Sequence, residues 1–156
     1  MLFHSPHFMA AFILSIIEYV IERIFFPSLK QHIWISVCFV FVCLVFQAFR
    51  TIAMYKAGSN FNHYIETEHR VGHVLVTDGI YKYLRHPSYF GWFWWSIFTQ
   101  VVMLNPVCVV LYALAAWLFF YLRIPYEEEM LVKLFGDDYV QYKKRTIIGI
   151  PFMKSN

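Results

Sequence analysis

Residues 89–122 read YFGWFWWSIFTQVVMLNPVCVVLYALAAWLFFYL. Two apolar runs, 89–104 and 107–122, are separated only by Asn105-Pro106, a turn signal. Together they predict an antiparallel helical hairpin in a bilayer. Upstream, residues 33–55 form the cleanest span, with WISVCFVFVCLVFQAF uninterrupted by charge and Arg50 near its end to snorkel to the interface. Residues 8–26 form a further apolar run that carries Glu18, Glu22 and Arg23. Glu18 and Glu22 lie four apart on one helix face, which calls for contact with protein, headgroups or water. The run lacks a basic leader and a small-residue cleavage site, so it reads as mature structure rather than a signal peptide.

Composition agrees with the runs. Of 156 residues, 60% are apolar, 21% aromatic and 15% charged, and mean hydropathy is +0.52. Soluble domains are about 45–50% apolar and about 25% charged. A span needs about 20 residues, so the length allows four or five membrane-embedded helices in one all-α domain, with no separate Rossmann domain. A disordered chain, a disulfide scaffold and a soluble globule are excluded. Cys38, Cys43 and Cys108 lie in apolar runs without metal-ligand spacing and read as small buried apolar residues.

The polar residues gather in two places. Residues 56–87 form a long loop with three glycines and four histidines, and long loops are usually functional. Beyond Pro125, expected to break the chain, residues 126–145 form a polar helix with Glu127, Glu128 and Glu129 first and Lys143, Lys144 and Arg145 last, which suits the helix dipole. Of 13 Lys and Arg, five lie in 50–85 and six from Arg123 onward. A hairpin joins these segments, so both lie on one side, the cytosol by the positive-inside rule.

Within the loop, DGIYKYLRHPSYFG (78–91) precedes a span directly, with Asp78-Gly79 as a turn and Pro87 suited to the first helical position. One reading is an interfacial belt of Tyr81, Tyr83, Arg85 and Tyr89. The other is a site in which the basic Arg85-His86 pair faces the acidic 127–129 cluster and holds a zwitterion. His69 and His73 have a spacing that suits a metal on a helix, but Gly72 and the missing apolar stripe argue against a helix there. The aromatics Trp92 to Phe98 read as packing and lipid-facing surface, and embedding argues against nucleic acid.

HVLVTDGIYKYLRHPSYFGWFWWS (73–96), the Asn-Pro hairpin turn, EEE (127–129), FGDDYVQYKKR (135–145) and GIPF (149–152), with GSNFNH at 58–63, resemble the isoprenylcysteine carboxyl methyltransferase family. The likeness runs from about Phe12 to Phe152. RHPxYxG alone is shared with membrane sterol reductases and phospholipid methyltransferases; the whole string in order is specific. Longer eukaryotic members begin with additional spans, so the chain reads as a short or N-terminally truncated member.

The resemblance implies methyl transfer from S-adenosylmethionine to the C-terminal carboxylate of prenylated cysteine in CaaX proteins such as small GTPases. The setting implied is the endoplasmic reticulum membrane, among lipid, with the site facing the cytosol. It assigns cofactor contacts to His73, Val74, Leu75, Val76, Tyr81, His86, Pro87, Ser88, Tyr89, Glu127 and Glu128. Glu66 joins them, where relatives are expected to hold glutamine. Arg123 is assigned to the substrate, and Arg123, Glu127 and Arg85 to catalysis. No metal is implied, and an oligomer is possible. A phospholipid methyltransferase, a nicotinamide-dependent sterol reductase and a non-catalytic membrane chain remain open alternatives.

Overall fold

A computed structural model describes residues 6–61 and 74–153. Its elements are helices α1 (Pro6–Phe25), α2 (Ile33–Ala57), α3 (Pro87–Val102), α4 (Pro106–Phe135) and α5 (Asp137–Lys144), with short 3-10 turns at Pro27–Gln31, Gly58–Asn60 and Gly79–Lys82. No strand occurs among the described residues; one isolated parallel bridge joins Leu84 to Ile147. Pro87 opens α3, and three residues connect it to α4, as the hairpin reading expects.

α2 and α4 are long and apolar enough to cross a bilayer, with windows of mean hydropathy 2.1. None of the α2 window and 22% of the α4 window is buried inside the protein. Apolar helices exposed to this extent need a non-aqueous solvent.

The chain divides into two compact units. The first comprises Met1–Val45 and Phe93–Ala116. Its centre is Lys30, whose ammonium donates to Met103 O (2.9 Å), Leu104 O (2.7 Å) and Asn105 Oδ1 (2.8 Å) and pairs with Glu22 Oε2 at 2.6 Å. Glu18 accepts the Val107 and Cys108 amides, both at 2.7 Å. A cation thus meets carbonyls just past the end of α3, and a carboxylate meets the first amides of α4, where helix ends lack internal partners. Asn105, fully buried, donates to Ser15 O at 2.9 Å. The Glu18/Glu22 face therefore meets protein. Cys43 and Cys108 are buried, whereas Cys38 is exposed.

The second unit comprises Phe46–Trp92 and Trp117–Asn156. Here α2 and α3 touch at Gly91: a Cβ there would lie 2.7 Å from Phe46 O and 2.9 Å from Arg50 N. Phe90 meets Phe46 and Phe49 edge-on at 5.6 and 5.5 Å. Arg50 does not simply snorkel: its Nη1 donates to Ser88 Oγ at 3.3 Å, because the close approach at Gly91 brings that hydroxyl within reach.

Pro125 does not break the chain, contrary to expectation. α4 runs through it to Phe135, and α5 is a separate short helix. A proline removes one backbone donor, and the remaining helical bonds hold the register: Arg123 Nε still lies 3.8 Å from Glu127 Oε2 at the i,i+4 spacing. The separation comes later, at Gly136, in a positive-φ conformation (55°) that glycine adopts without a Cβ clash.

The tail after α5 folds back within this unit. Arg85 N donates to Ile147 O and Ile147 N to Tyr83 O, both at 3.1 Å. Gly149 (φ 82°) passes so close to Phe90 and Leu84 that a Cβ would lie 2.7 and 2.8 Å from them. Trp117 Nε1 fastens Pro151 O at 2.9 Å.

Candidate functional site

The second unit contains a cleft with about 730 Å3 of empty space, part of it open to solvent. The end of α2 supplies Ala57 and the 3-10 turn after it Asn60, with Phe61 just beyond; the extended stretch before α3 supplies Val74, Leu75 and Val76; the α3 entry supplies Tyr81 and Arg85 to Tyr89. α4 gives one stripe at i, i+4, i+8 (Glu127, Leu131, Phe135), and α5 gives Tyr139 and Tyr142. Asn60 Oδ1 accepts Val74 N at 2.9 Å, which ties the extended stretch to the 3-10 turn after α2. Buried Ala53 lets Tyr81 approach closely enough to donate to its carbonyl at 3.2 Å.

Three consecutive glutamates of α4 point about 100° apart and meet three environments. Glu127 lines the cleft with its side chain 23% exposed, accepts the Tyr89 hydroxyl at 2.5 Å, and lies 4.0 Å from His86 Nδ1. Arg123 Nε in turn donates to the Tyr89 hydroxyl at 2.8 Å. Glu128 is buried: Oε1 pairs with Arg85 Nε (2.5 Å) and lies 3.2 Å from His86 Nε2, while Oε2 takes Lys143 at 2.8 Å. Burial alone would raise its carboxyl, but the bonds from His86, Lys143 and Arg85 outweigh that and hold it at about 2. Glu129 is exposed and pairs with Lys133, four residues on.

Arg85 extends this hub, with Nη1 donating to Thr146 O at 2.7 Å. His86 lies parallel to Tyr89, ring centroids 5.4 Å apart. Burial, and then the Glu127 charge, push the Tyr81 hydroxyl up to about 12, so at neutral pH it is a neutral donor.

Of the expected site residues, Val74, Leu75, Val76, Tyr81, Arg85, His86, Pro87, Ser88, Tyr89 and Glu127 line one cleft. Arg123 and Glu128 are not in its wall; each touches a residue that is. Glu66, His73 and the His69/His73 pair lie outside the described residues. Tyr139, Tyr142, Lys143 and Thr146 were missed. The two tyrosines, three apart on an otherwise polar helix, carried a readable signal of a buried stripe.

Fold and cleft define an all-α integral membrane protein with a cleft lined by groups of both charge signs. Residues 37–133 match the model of the isoprenylcysteine carboxyl methyltransferase (ICMT) family. The chain belongs to that family. It is 47% identical to the human protein-S-isoprenylcysteine O-methyltransferase over 97% of its own length and 53% of the relative's. It is 46% identical to the Tribolium castaneum protein of the same name (97% and 54%) and 42% identical to the B form of Arabidopsis thaliana (96% and 76%). A solved structure of a eukaryotic intramembrane Ras methyltransferase, ICMT, superposes with a TM-score of 0.93 at 47% identity, covering 96% of this chain and 53% of that one. The chain thus spans about half the length of most of these relatives.

Proposed function

We propose that the chain transfers a methyl group from S-adenosylmethionine to the C-terminal carboxylate of a prenylated cysteine, as in CaaX-processed proteins such as small GTPases. The site would face the cytosol from the endoplasmic reticulum membrane. The observation that carries this reading is the pairing of a cleft-facing carboxylate, Glu127, with the tyrosines Tyr81 and Tyr89 and with His86 in one cleft. The donor is a zwitterion with a sulfonium. Glu127 suits its ammonium, and aromatic faces attract a sulfonium by about 0.5–2 kcal/mol each. The residues present therefore fit the group.

When bound, the donor supplies an electrophilic methyl with its own leaving group. The chain's residues then need to orient and to exclude water. A carboxylate is already ionised at neutral pH, so no general base is required. Arg123, half-buried and aligned by the Tyr89 hydroxyl, is suited to pair the acceptor carboxylate. Val74, Leu75, Val76, Pro87 and Ser88 wall the donor's side, with Glu66 and His73 expected in the same set. Glu128 acts through Arg85 and His86, whose positions it fixes. Orientation of this kind is worth up to about 7–11 kcal/mol of barrier. A prenyl chain partitions into bilayer at about 0.8 kcal/mol per buried CH2, which fits the membrane setting.

The test is transfer of labelled methyl from S-adenosylmethionine to N-acetyl-S-farnesyl-cysteine by the 156-residue chain in lipid vesicles. A base-labile methyl ester supports the reading. Donor binding with methylation of phosphatidylethanolamine instead would replace the acceptor, and binding of a nicotinamide cofactor in place of the donor would overturn the reaction class.

A further inference from the structure

Four tyrosines line the cleft, and three of their hydroxyls are already committed. Tyr81 donates to Ala53 O at 3.2 Å, Tyr89 to Glu127 Oε2 at 2.5 Å, and Tyr142 to Tyr81 O at 2.7 Å. Tyr139 differs. It is 1% exposed, and among the described residues its hydroxyl has no hydrogen-bond partner.

A buried hydroxyl without a partner destabilises a folded protein, and native structures keep few of them. Phenylalanine would fill the same space without that cost. Nor is the ring loosely held. It packs against Tyr142 at 5.9 Å, and α5 is pinned through Tyr142 to Tyr81 and through Lys143 to Glu128. Tyr139 is among the residues that line the cleft, and its buried hydroxyl is held there with both its donor and acceptor capacity unused.

We infer that Tyr139 is a further ligand-binding residue, whose hydroxyl completes its hydrogen bonding on a polar atom of the methyl donor. The inference rests on the donor reading above and adds a contact from α5, which no expected site residue supplies. The bond exists only in the loaded protein, so the hydroxyl favours the bound state over the empty one and contributes to affinity alone.

Equilibrium binding of labelled S-adenosylmethionine, together with ligand-free thermal unfolding, is measured for the unmodified chain, Tyr139→Phe and Tyr142→Phe in vesicles. Tyr139→Phe is expected to bind the donor about three- to tenfold more weakly, with a ligand-free midpoint unchanged or raised. Turnover should show a raised donor KM and an unchanged kcat. Tyr142→Phe breaks a bond internal to the protein and is expected to lower the ligand-free midpoint. Equal donor affinity in folded Tyr139→Phe overturns the inference alone, as does a ligand-free midpoint lowered as far as that of Tyr142→Phe. If the unmodified, folded chain binds no donor, the donor reading falls and this inference with it.

Discussion

Two polar clusters among the described residues of this apolar chain differ in how far their hydrogen-bonding capacity is used. Around Lys30, in the first unit, the Lys30 ammonium and the Glu18 carboxylate are fully committed. The ammonium, with its side chain 2% exposed, has three carbonyl-type acceptors and a carboxylate, and Glu18 spends both oxygens on the start of α4. Around Glu127, in the second unit, capacity is left over: the carboxylate is part-exposed to a cleft and the Tyr139 hydroxyl is unused. A saturated cluster holds helix ends together. An unsaturated one beside a cleft has room for a ligand.

Lys30→Met strands Glu22 as a buried charge and is expected to cost about 3–5 kcal/mol, read as a lowered unfolding midpoint. Donor binding by the folded fraction should be unchanged, and an unchanged midpoint would show that the cluster is not structural. Glu128→Gln should also destabilise, and with a pH signature. The folded carboxyl titrates near 2, below its unfolded value of about 4.3. Its contribution is therefore complete above about pH 4.5 and is lost as the pH falls toward 2. The variant should flatten stability across that window, and a slope equal to that of the unmodified chain would contradict the hub.

Gly91→Ala sets a Cβ against backbone atoms of α2 and should cost about 1–3 kcal/mol, again read by unfolding. Glu127→Gln should move stability least of these, because Glu127 is part-exposed, yet weaken donor binding by about tenfold or more, since a hydrogen bond to a charged group is worth about 1.5–3 kcal/mol. Glu129→Ala, which loses only an exposed pair, should change stability by less than about 1 kcal/mol and leave donor affinity alone. Equal effects at 127 and 129 would erase the distinction between the glutamates.

The hairpin and the long spans were legible because hydrophobic runs and Asn105-Pro106 depend only on local order. The saturated cluster was not. Lys30 in a short connection and Glu18 and Glu22 on one helix face gave no hint of which backbone groups they would meet, since Met103 to Cys108 lie far along the chain. Pro125 misled in the opposite direction, because proline's effect on a helix depends on whether the surrounding bonds hold the register. At the site, the residue types of 73–89 and 123–128 were readable, but not their division into cleft wall and buried hub. That division follows from the 100° step between neighbouring helical residues and from Lys143 and Thr146, which arrive from the far end of the chain.

The proposed function requires the unsaturated cluster to bind the methyl donor through Glu127. Equilibrium binding of labelled S-adenosylmethionine to the chain and to Glu127→Gln, both verified as folded by their unfolding midpoints, tests it most directly. Saturable binding that weakens about tenfold or more in the variant, at a nearly constant midpoint, is the predicted result. Equal affinity in the two proteins, or no binding to either, would contradict it.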